Sequence, residues 1–427
     1  MRKIVILSFS TLILLVNSIY AQKEEPTKKK VDSTLIIVNG DGLFIRLGKK
    51  EKTVINLDAA IQSGMAYSEF EDAKGTQTDN RLSINLARLY LNTNFLNNKV
   101  IMGLTTDFTG TTPLLEAWAG ANLFKNHLFL SMGQKQTHTN NRLAMADERF
   151  SQVMAQTIAG TSKDGVAYGG LMHNFVGATR ESGLFLETNF TLSSIRIYPS
   201  VSITTGDGQG FDSSQENLGY KYGGRLDILP LGDFKKNNAF TAADLYYEEK
   251  PKFAFGVAGS YNAKASHPTG SGTNTITGIF DKEGAEAYGD YVKIVSDLVF
   301  KYKGFSFVTE YTSAAVKGSN LYLDAAATKK LTPEAASAKY NTGEAFSFES
   351  SYVFRNGLSF DGRFSNISPE FAVPTSLVQK QNWYTFGINK YNKYKNLKIG
   401  INTTYVDNFD AAIKYNWYSN LAVQFVL

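Results

Sequence analysis

From residue 54 to the end, the chain repeats a run of about ten residues in which apolar side chains alternate with polar or small ones, then a turn. Alternation at period two places successive side chains on opposite faces of a sheet. Val100, Met102, Leu104, Thr106 and Phe108 share one face, with Gly103, Thr105 and Asp107 on the other. Leu397, Ile399, Ile401, Thr403 and Tyr405 likewise oppose Lys398, Gly400, Asn402 and Thr404. The pattern predicts strands over 54–67, 82–96, 99–108, 114–124, 127–137, 182–192, 195–205, 219–230, 252–264, 289–303, 305–316, 343–355, 358–366, 380–393, 395–407 and 414–427.

The connections alternate in length. Tight pairs fall at Asn97-Asn98, Lys125-Asn126, Ser193-Ser194, Lys303-Gly304, Asn356-Gly357 and Lys395-Asn396. Such pairs suit two-residue hairpins, which need positive φ. Between them lie long polar loops at 68–81, 138–181, 206–218, 265–288, 317–342 and 367–379. One connection, 231–251, is longer than its place in the series predicts. Short turns on one rim and long loops on the other are what an outer-membrane barrel requires, and an even strand count puts both ends on the short-turn rim. A soluble sandwich would alternate too, but would not segregate its loops by length. The expectation is an all-β fold: a closed 16-stranded antiparallel transmembrane β-barrel over 54–427, with short periplasmic turns and long extracellular loops.

Composition agrees with that class. There are 29 Phe and 23 Tyr but 9 Pro, a profile that favours strands. Tyr67, Phe95, Phe108, Phe124, Phe305 and Tyr394 fall near strand ends, where interfacial girdles belong. The mean hydropathy of −0.21 is too low for a helical membrane protein, but a barrel carries its apolar half in every second residue. There is no Cys, so no disulfide contributes.

At the N-terminus, Met1-Arg2-Lys3 precedes an apolar run from Ile4 to Val16, and Ala21 offers a small residue before Gln22. Residues 1–21 read as a cleaved signal peptide, since the run is shorter than the ~20 apolar residues of a spanning helix. Residues 22–53 read as a periplasmic N-terminal lead-in containing a small hairpin within 35–47. Losing Arg2 and Lys3 takes the net charge from +5 to +3, with scattered basic residues, which excludes a nucleic-acid partner as the expectation.

In such a barrel, chemistry resides in the charges that line the lumen. Taking the more polar face of each strand as inward gives Arg88, Arg196, Arg225 and Arg363 as candidate lumen-wall cations. Lys293, Lys301, Arg355 and Lys398 fall on the same faces. So do Asp107, Glu116, Glu187, Asp227, Asp297, Glu310, Glu349 and Asp361, and the signs nearly cancel. If loop 138–181 folds inward, Lys135, Arg142, Arg149, Arg180 and Glu116 become the candidate pore constriction. Arginine forks suit carboxylate and phosphate oxygens, so these residues either meet anions or pin the loop to wall acids such as Glu116 and Glu187. No catalytic grouping is expected, because His127, His138, His173 and His267 lie in turns and loops without metal-ligand spacing. No cofactor and no metal are expected either.

Residues 41–231 resemble the phosphate-selective porin O/P family. The residues that carry the resemblance begin with Asp41-Gly42-Leu43-Phe44-Ile45-Arg46-Leu47-Gly48, then Ala87-Arg88-Leu89-Tyr90 and Glu116-Ala117-Trp118-Ala119-Gly120. Met132-Gly133-Gln134-Lys135-Gln136-Thr137, Glu148-Arg149-Phe150 and Arg180-Glu181-Ser182-Gly183-Leu184 follow in order. The order and spacing carry the weight, over roughly half the chain. The resemblance implies a homotrimeric porin whose third extracellular loop enters the lumen; it does not by itself transfer phosphate selectivity, because the family's basic ladder and lysine cluster are not matched here residue by residue.

The expected function is passive diffusion of small hydrophilic solutes across the outer membrane of a Gram-negative bacterium, with an anion bias toward phosphate or small carboxylates left open. The alternative is a plugged barrel acting as an anchoring or adhesion platform. A hydrolase ranks third.

Overall fold

The structure, a computed structural model, describes residues 35–39, 42–47, 53–109, 113–124, 127–145, 170–208, 219–270, 272, 275–318, 320–409 and 415–427. The signal-peptide assignment (1–21), the turn at 125–126 and Arg149 lie outside the described residues.

A hairpin of β1 (Leu35–Asn39) and β2 (Gly42–Leu47) precedes the barrel. The first wall runs through β3 (Thr53–Asp72), β4 (Gly75–Phe95), β5 (Val100–Asp107), β6 (Leu114–Leu123) and β7 (Leu128–Gln136). Next come β8 (Arg180–Thr188) and β9 (Phe190–Leu192), one strand interrupted at Asn189, then β10 (Ile195–Thr204), β11 (Lys221–Leu229) and β12 (Lys252–Asn262). The last wall holds β13 (Asp290–Tyr302), β14 (Phe305–Lys317), β15 (Gly343–Val353), β16 (Leu358–Pro369), β17 (Gln381–Tyr391), β18 (Leu397–Asn408) and β19 (Tyr415–Val426).

Every consecutive pair is antiparallel, and β19 returns to β3 from Val426↔Ala60 to Tyr415↔Glu71. Counting β8 and β9 as one, 16 strands close the ring, so no edge is left unpaired in the bilayer. The start of β3 instead pairs with β2, Leu43 opposite Leu57 and Ile45 opposite Ile55.

Alternation sets the orientation. On β13, Tyr291, Lys293, Val295, Asp297, Val299 and Lys301 are buried toward the lumen, while Ile294 on the other face is 54% exposed. Ile294, Phe348, Phe386, Ile399, Ile401 and Leu421 belong to the outward apolar belt, a surface suited to hydrocarbon. The predicted tight turns adopt the required conformation, with φ of 59° at Asn97, 57° at Ser193, 85° at Gly357 and 64° at Lys395.

One expectation fails. Residues 68–81 form no long loop: β3 and β4 continue through them to a tight turn between Asp72 and Gly75. Residues 76–81 are exposed on both faces of the hairpin. Beyond the bilayer both faces meet water, so the apolar alternation that marks a strand disappears while the backbone pairing persists.

Candidate functional site: a charged waist in the lumen

Three segments turn into the barrel. The first follows β7, where Asn140, Asn141, Arg142 and Leu143 are all buried and Leu143–Met145 forms a 3-10 turn. The second is the 3-10 turn Gly170–Phe175, with Leu171, Met172 and Phe175 buried. These are the described ends of the loop between β7 and β8, third on the long-loop rim. The third segment is 231–251, between β11 and β12 on the opposite rim; its 3-10 turn Lys235–Phe240 leads into buried Thr241, Ala242, Ala243, Asp244 and Leu245.

The strands bring the wall charges to one level. Asp227 on β11 is opposite Gly256 on β12, Gly256 is opposite Asp297 on β13, and Asp297 is opposite Glu310 on β14. Arg142 reaches this row from the loop: its Nε donates to Asp297 Oδ1 at 2.6 Å, and its Nη2 donates to Asp227 Oδ1. From the wall, Arg225 Nε donates to Asp227 Oδ2 at 2.8 Å and its Nη2 to Asp297 Oδ2 at 2.5 Å. Two guanidiniums and two carboxylates form a closed quartet, with both arginine side chains 1% exposed. Charge-assisted bonds of this kind are stronger than neutral ones, and burial makes their completeness matter.

Neutral groups extend the anchorage. Leu143 N donates to Glu310 Oε1 at 2.9 Å, Lys293 Nζ to Asn140 Oδ1 at 2.6 Å and to Phe175 O at 3.0 Å, and Thr312 Oγ1 to Asn141 Oδ1 at 3.1 Å. Leu171 N donates to Ser365 Oγ at 3.2 Å, and the turn packs with Ala314, Ala345, Ile367, Trp383 and Val406. Within it, His173 Nδ1 lies 2.7 Å from Gly170 O, and burial holds the imidazole pKa below its usual value, against the opposing pull of that carbonyl.

The opposite segment is held as firmly. Lys301 Nζ donates to Thr241 O at 2.6 Å and to Ala243 O at 2.7 Å, and also to Thr241 Oγ1. Gly304 N donates to Asp244 Oδ2 at 2.8 Å. Phe234, Ala239, Ala242 and Leu245 then meet Leu143 from the other rim, and the Arg142 guanidinium lies 5.1 Å from the Phe240 ring centre. The two rims therefore touch at the waist. Between them and the β8–β10–β11 wall remains a cavity of about 340 Å³ that includes His138, Arg142, Glu187, Tyr198, Asp227 and Asp233 in its lining.

The other sequence-predicted site residues among those described are also paired. Lys135 bonds Glu187, whose other oxygen is 2.7 Å from His138 Nε2. Arg180 Nε donates to Glu116 Oε1 at 3.0 Å, and Arg88 Nε to Asp107 Oδ2 at 2.6 Å. Arg363 Nε donates to Glu349 Oε2 at 2.7 Å across β15–β16. Arg196 bonds Asp233 Oδ2 at 3.1 Å, both half exposed. Arg142 and Arg225 are brought together, whereas Arg88, Arg180, Arg196 and Arg363 occupy separate stations around the wall. The residues sequence reasoning missed are Asn140, Asn141, Asn238, Thr241 and Asp244, polar groups that fasten the inward segments. For Asn238, Thr241 and Asp244 the one signal was the excess length of 231–251; Asn140 and Asn141 lie in the long loop 138–181, whose inward course was considered but whose amides were not singled out.

Compared with known proteins, the chain matches no family model and no curated protein sequence. Solved structures resemble it at the level of fold. The outer membrane channel DcaP of Acinetobacter baumannii aligns at a TM-score of 0.52 with 12% identity, covering 89% of this chain and 99% of that one. A loop L8 deletion mutant of OmpT, an outer membrane protein of Vibrio cholerae, aligns at 0.52 with 10% identity, covering 88% and 100%. An anion-selective porin from Comamonas acidovorans aligns at 0.51 with 10% identity and the same coverage. The chain thus has the barrel fold of outer-membrane porins.

Proposed function

We propose that this protein is a porin of the Gram-negative outer membrane that lets small hydrophilic solutes diffuse passively past the charged waist. The observation that carries the reading is the cavity bounded by Arg142, His138, Glu187 and Asp233, a polar gap beside an inward loop in a closed barrel. Supporting it, Glu310 Oε2, Glu349 Oε1, Asp361 Oδ1 and Arg363 Nη1 face inward with no protein hydrogen-bond partner. Buried polar atoms of this kind are stable where water reaches them.

Selectivity is the finer part. Of the candidate constriction cations, Lys135, Arg142 and Arg180 are each bonded to carboxylates, so an anion bias toward phosphate or small carboxylates falls to residues such as Arg149, which lies outside the described residues. Membership of the phosphate-selective porin O/P family and a homotrimeric assembly rest on the sequence resemblance. A shallow outer groove at Gly64, Met65, Leu82, Ile84 and Leu421 suits contact with a second copy.

The second reading, a plugged anchoring barrel, is favoured by one observation: apolar clusters around Phe175 and around Leu245 occupy the lumen toward either rim. Liposome swelling separates the two. Proteoliposomes placed in small sugars and amino acids should swell at rates that fall with solute size. Swelling no faster than in protein-free liposomes would favour the plug.

A further inference from the structure

The 340 Å³ cavity at the waist has two kinds of lining. Leu229, Phe234, Ala239 and Phe240 make part of it apolar, while Glu187, Asp227 and Asp233 bring carboxylates to it. The charges around it cancel. Glu187 bonds Lys135 and lies 2.7 Å from His138 Nε2 through its other oxygen. Asp233 bonds Arg196 at 3.1 Å and accepts from the Tyr198 hydroxyl at 2.5 Å. Asp227 and Asp297 share Arg142 and Arg225. Leaving the imidazole aside, Glu187, Asp227, Asp233 and Asp297 are matched one for one by Lys135, Arg142, Arg196 and Arg225. An ion entering the cavity therefore finds no uncompensated charge to repay the water it sheds.

What the ion pairs leave unused is acceptor capacity. An ionised carboxylate offers about four lone-pair positions. Glu187 meets only Lys135 and His138, and Asp233 only Arg196 and Tyr198, so each keeps positions to spare without breaking a pair. These oxygens are within reach, the Glu187 side chain being 26% exposed and that of Asp233 50%. Beside them, Phe240 is half-buried and offers a ring face, whereas Phe234 is packed away. The Arg142 guanidinium, 5.1 Å from the Phe240 ring centre, holds that ring in place.

A ligand suited to this lining donates several hydrogen bonds, carries no net charge and has an apolar face. A pyranose ring meets all three requirements: its hydroxyls donate, it is neutral, and its axial C–H groups form a flat apolar patch. We propose that the waist cavity binds a neutral sugar of monosaccharide size, its hydroxyls donating to Glu187 and Asp233 and its C–H face lying on Phe240. Apolar walls with a few placed polar groups are the usual make-up of a small-molecule site. The inference rests on the reading of the lumen as a solute path and names the solute class that the path favours.

The test is saturation-transfer NMR of D-glucose with the folded full-length protein in deuterated detergent, which reads binding whether or not the barrel conducts. Glucose C–H protons should be saturated, with half-maximal binding in the millimolar range, since a solute in transit must leave as readily as it enters. Phe240→Leu keeps apolar volume but removes the ring face, and should weaken binding about fivefold. Asp233→Ala, at a half-exposed position, should also weaken it while the heat-modifiable migration of a folded barrel is retained. No saturation transfer from the intact protein would overturn the site. So would folded Phe240→Leu and Asp233→Ala proteins that both bind glucose as tightly as the intact one. Displacement of glucose by an equal concentration of propylammonium or propionate would overturn a neutral ligand. Glucose bound by a barrel that is silent in a bilayer would sink the porin reading and leave the site standing, and a conducting barrel that binds no glucose would do the reverse.

Discussion

Replacing Gly256 by Ala tests whether the Arg142–Asp227–Arg225–Asp297 quartet holds the waist, because it perturbs the quartet without changing any charge. Gly256 stands between the two carboxylates in register. A Cβ there would lie 2.6 Å from Asp297 Oδ1 and 2.7 Å from Asp227 Oδ1, and closer still to Arg225 Nη2. None of these atoms belongs to a free side-chain end, since each is buried and bonded within the quartet. Overpacking of a tight site costs about 1–3 kcal/mol. A shift that separates Arg142 from one carboxylate would add to it, because losing one partner of a buried pair costs about 3–5 kcal/mol. Taking about 2 kcal/mol, the population of the anchored loop falls by a factor of roughly 30 relative to the released one. The assay is single-channel recording with heat-modified gel migration as the stability readout. Gly256→Ala should give excess open-channel noise or new conductance levels and a lower melting temperature. Gly362→Ala should do neither, since a Cβ at Gly362 meets nothing within 4 Å. If Gly256→Ala matches the unmodified protein in both readouts, the quartet does not hold the waist.

Further outcomes follow from the same contacts. Arg142→Ala leaves Asp227 and Asp297 to share Arg225, so the waist gains net negative charge. The reversal potential in a salt gradient should move toward cation preference, and an unchanged potential would argue that Arg142 does not face the solute path. Lys301→Met strips the donor from the Thr241 and Ala243 carbonyls, and each buried acceptor left unpaired costs about 1–3 kcal/mol. Trypsin should then cut at Lys235 or Lys236 faster than in the unmodified protein, and equal rates would refute the fastening role. Burial holds the folded pKa of His173 below its unfolded one. Its contribution is complete above about pH 6.5 and is lost as pH falls toward the folded value. The protection factors of the amides in 170–176, with the intrinsic pH dependence of exchange divided out, should therefore fall on acidification, and a His173→Phe variant should flatten that dependence. A variant as pH-sensitive as the original would sink the assignment.

Period-two alternation was enough to locate the wall, because in a barrel each strand faces lipid on one side and charged lumen on the other. The 16 strands emerged with bounds shifted by a few residues, except at the β3–β4 hairpin, where water on both sides erased the pattern. The same periodicity put Arg88, Arg225, Lys293, Glu310 and Arg363 on the faces of their strands that are buried in the structure. Their partners were not legible in it. Arg142 and Asp297 are 155 residues apart, and only the register of three strands brings Asp227, Gly256 and Asp297 to one level. The need for glycine at 256 arises from that level and leaves no local trace. The 231–251 segment announced itself by length alone, since its inward course depends on Lys301 and Ser306, on the two strands that follow β12.

The central claim is that water and small solutes cross this lumen, and planar-bilayer recording of the purified full-length protein tests it most directly. Discrete, reproducible conductance steps that scale with bulk salt conductivity are the predicted result. A bilayer that stays silent after insertion of folded barrel would contradict the account and leave the barrel a plugged one.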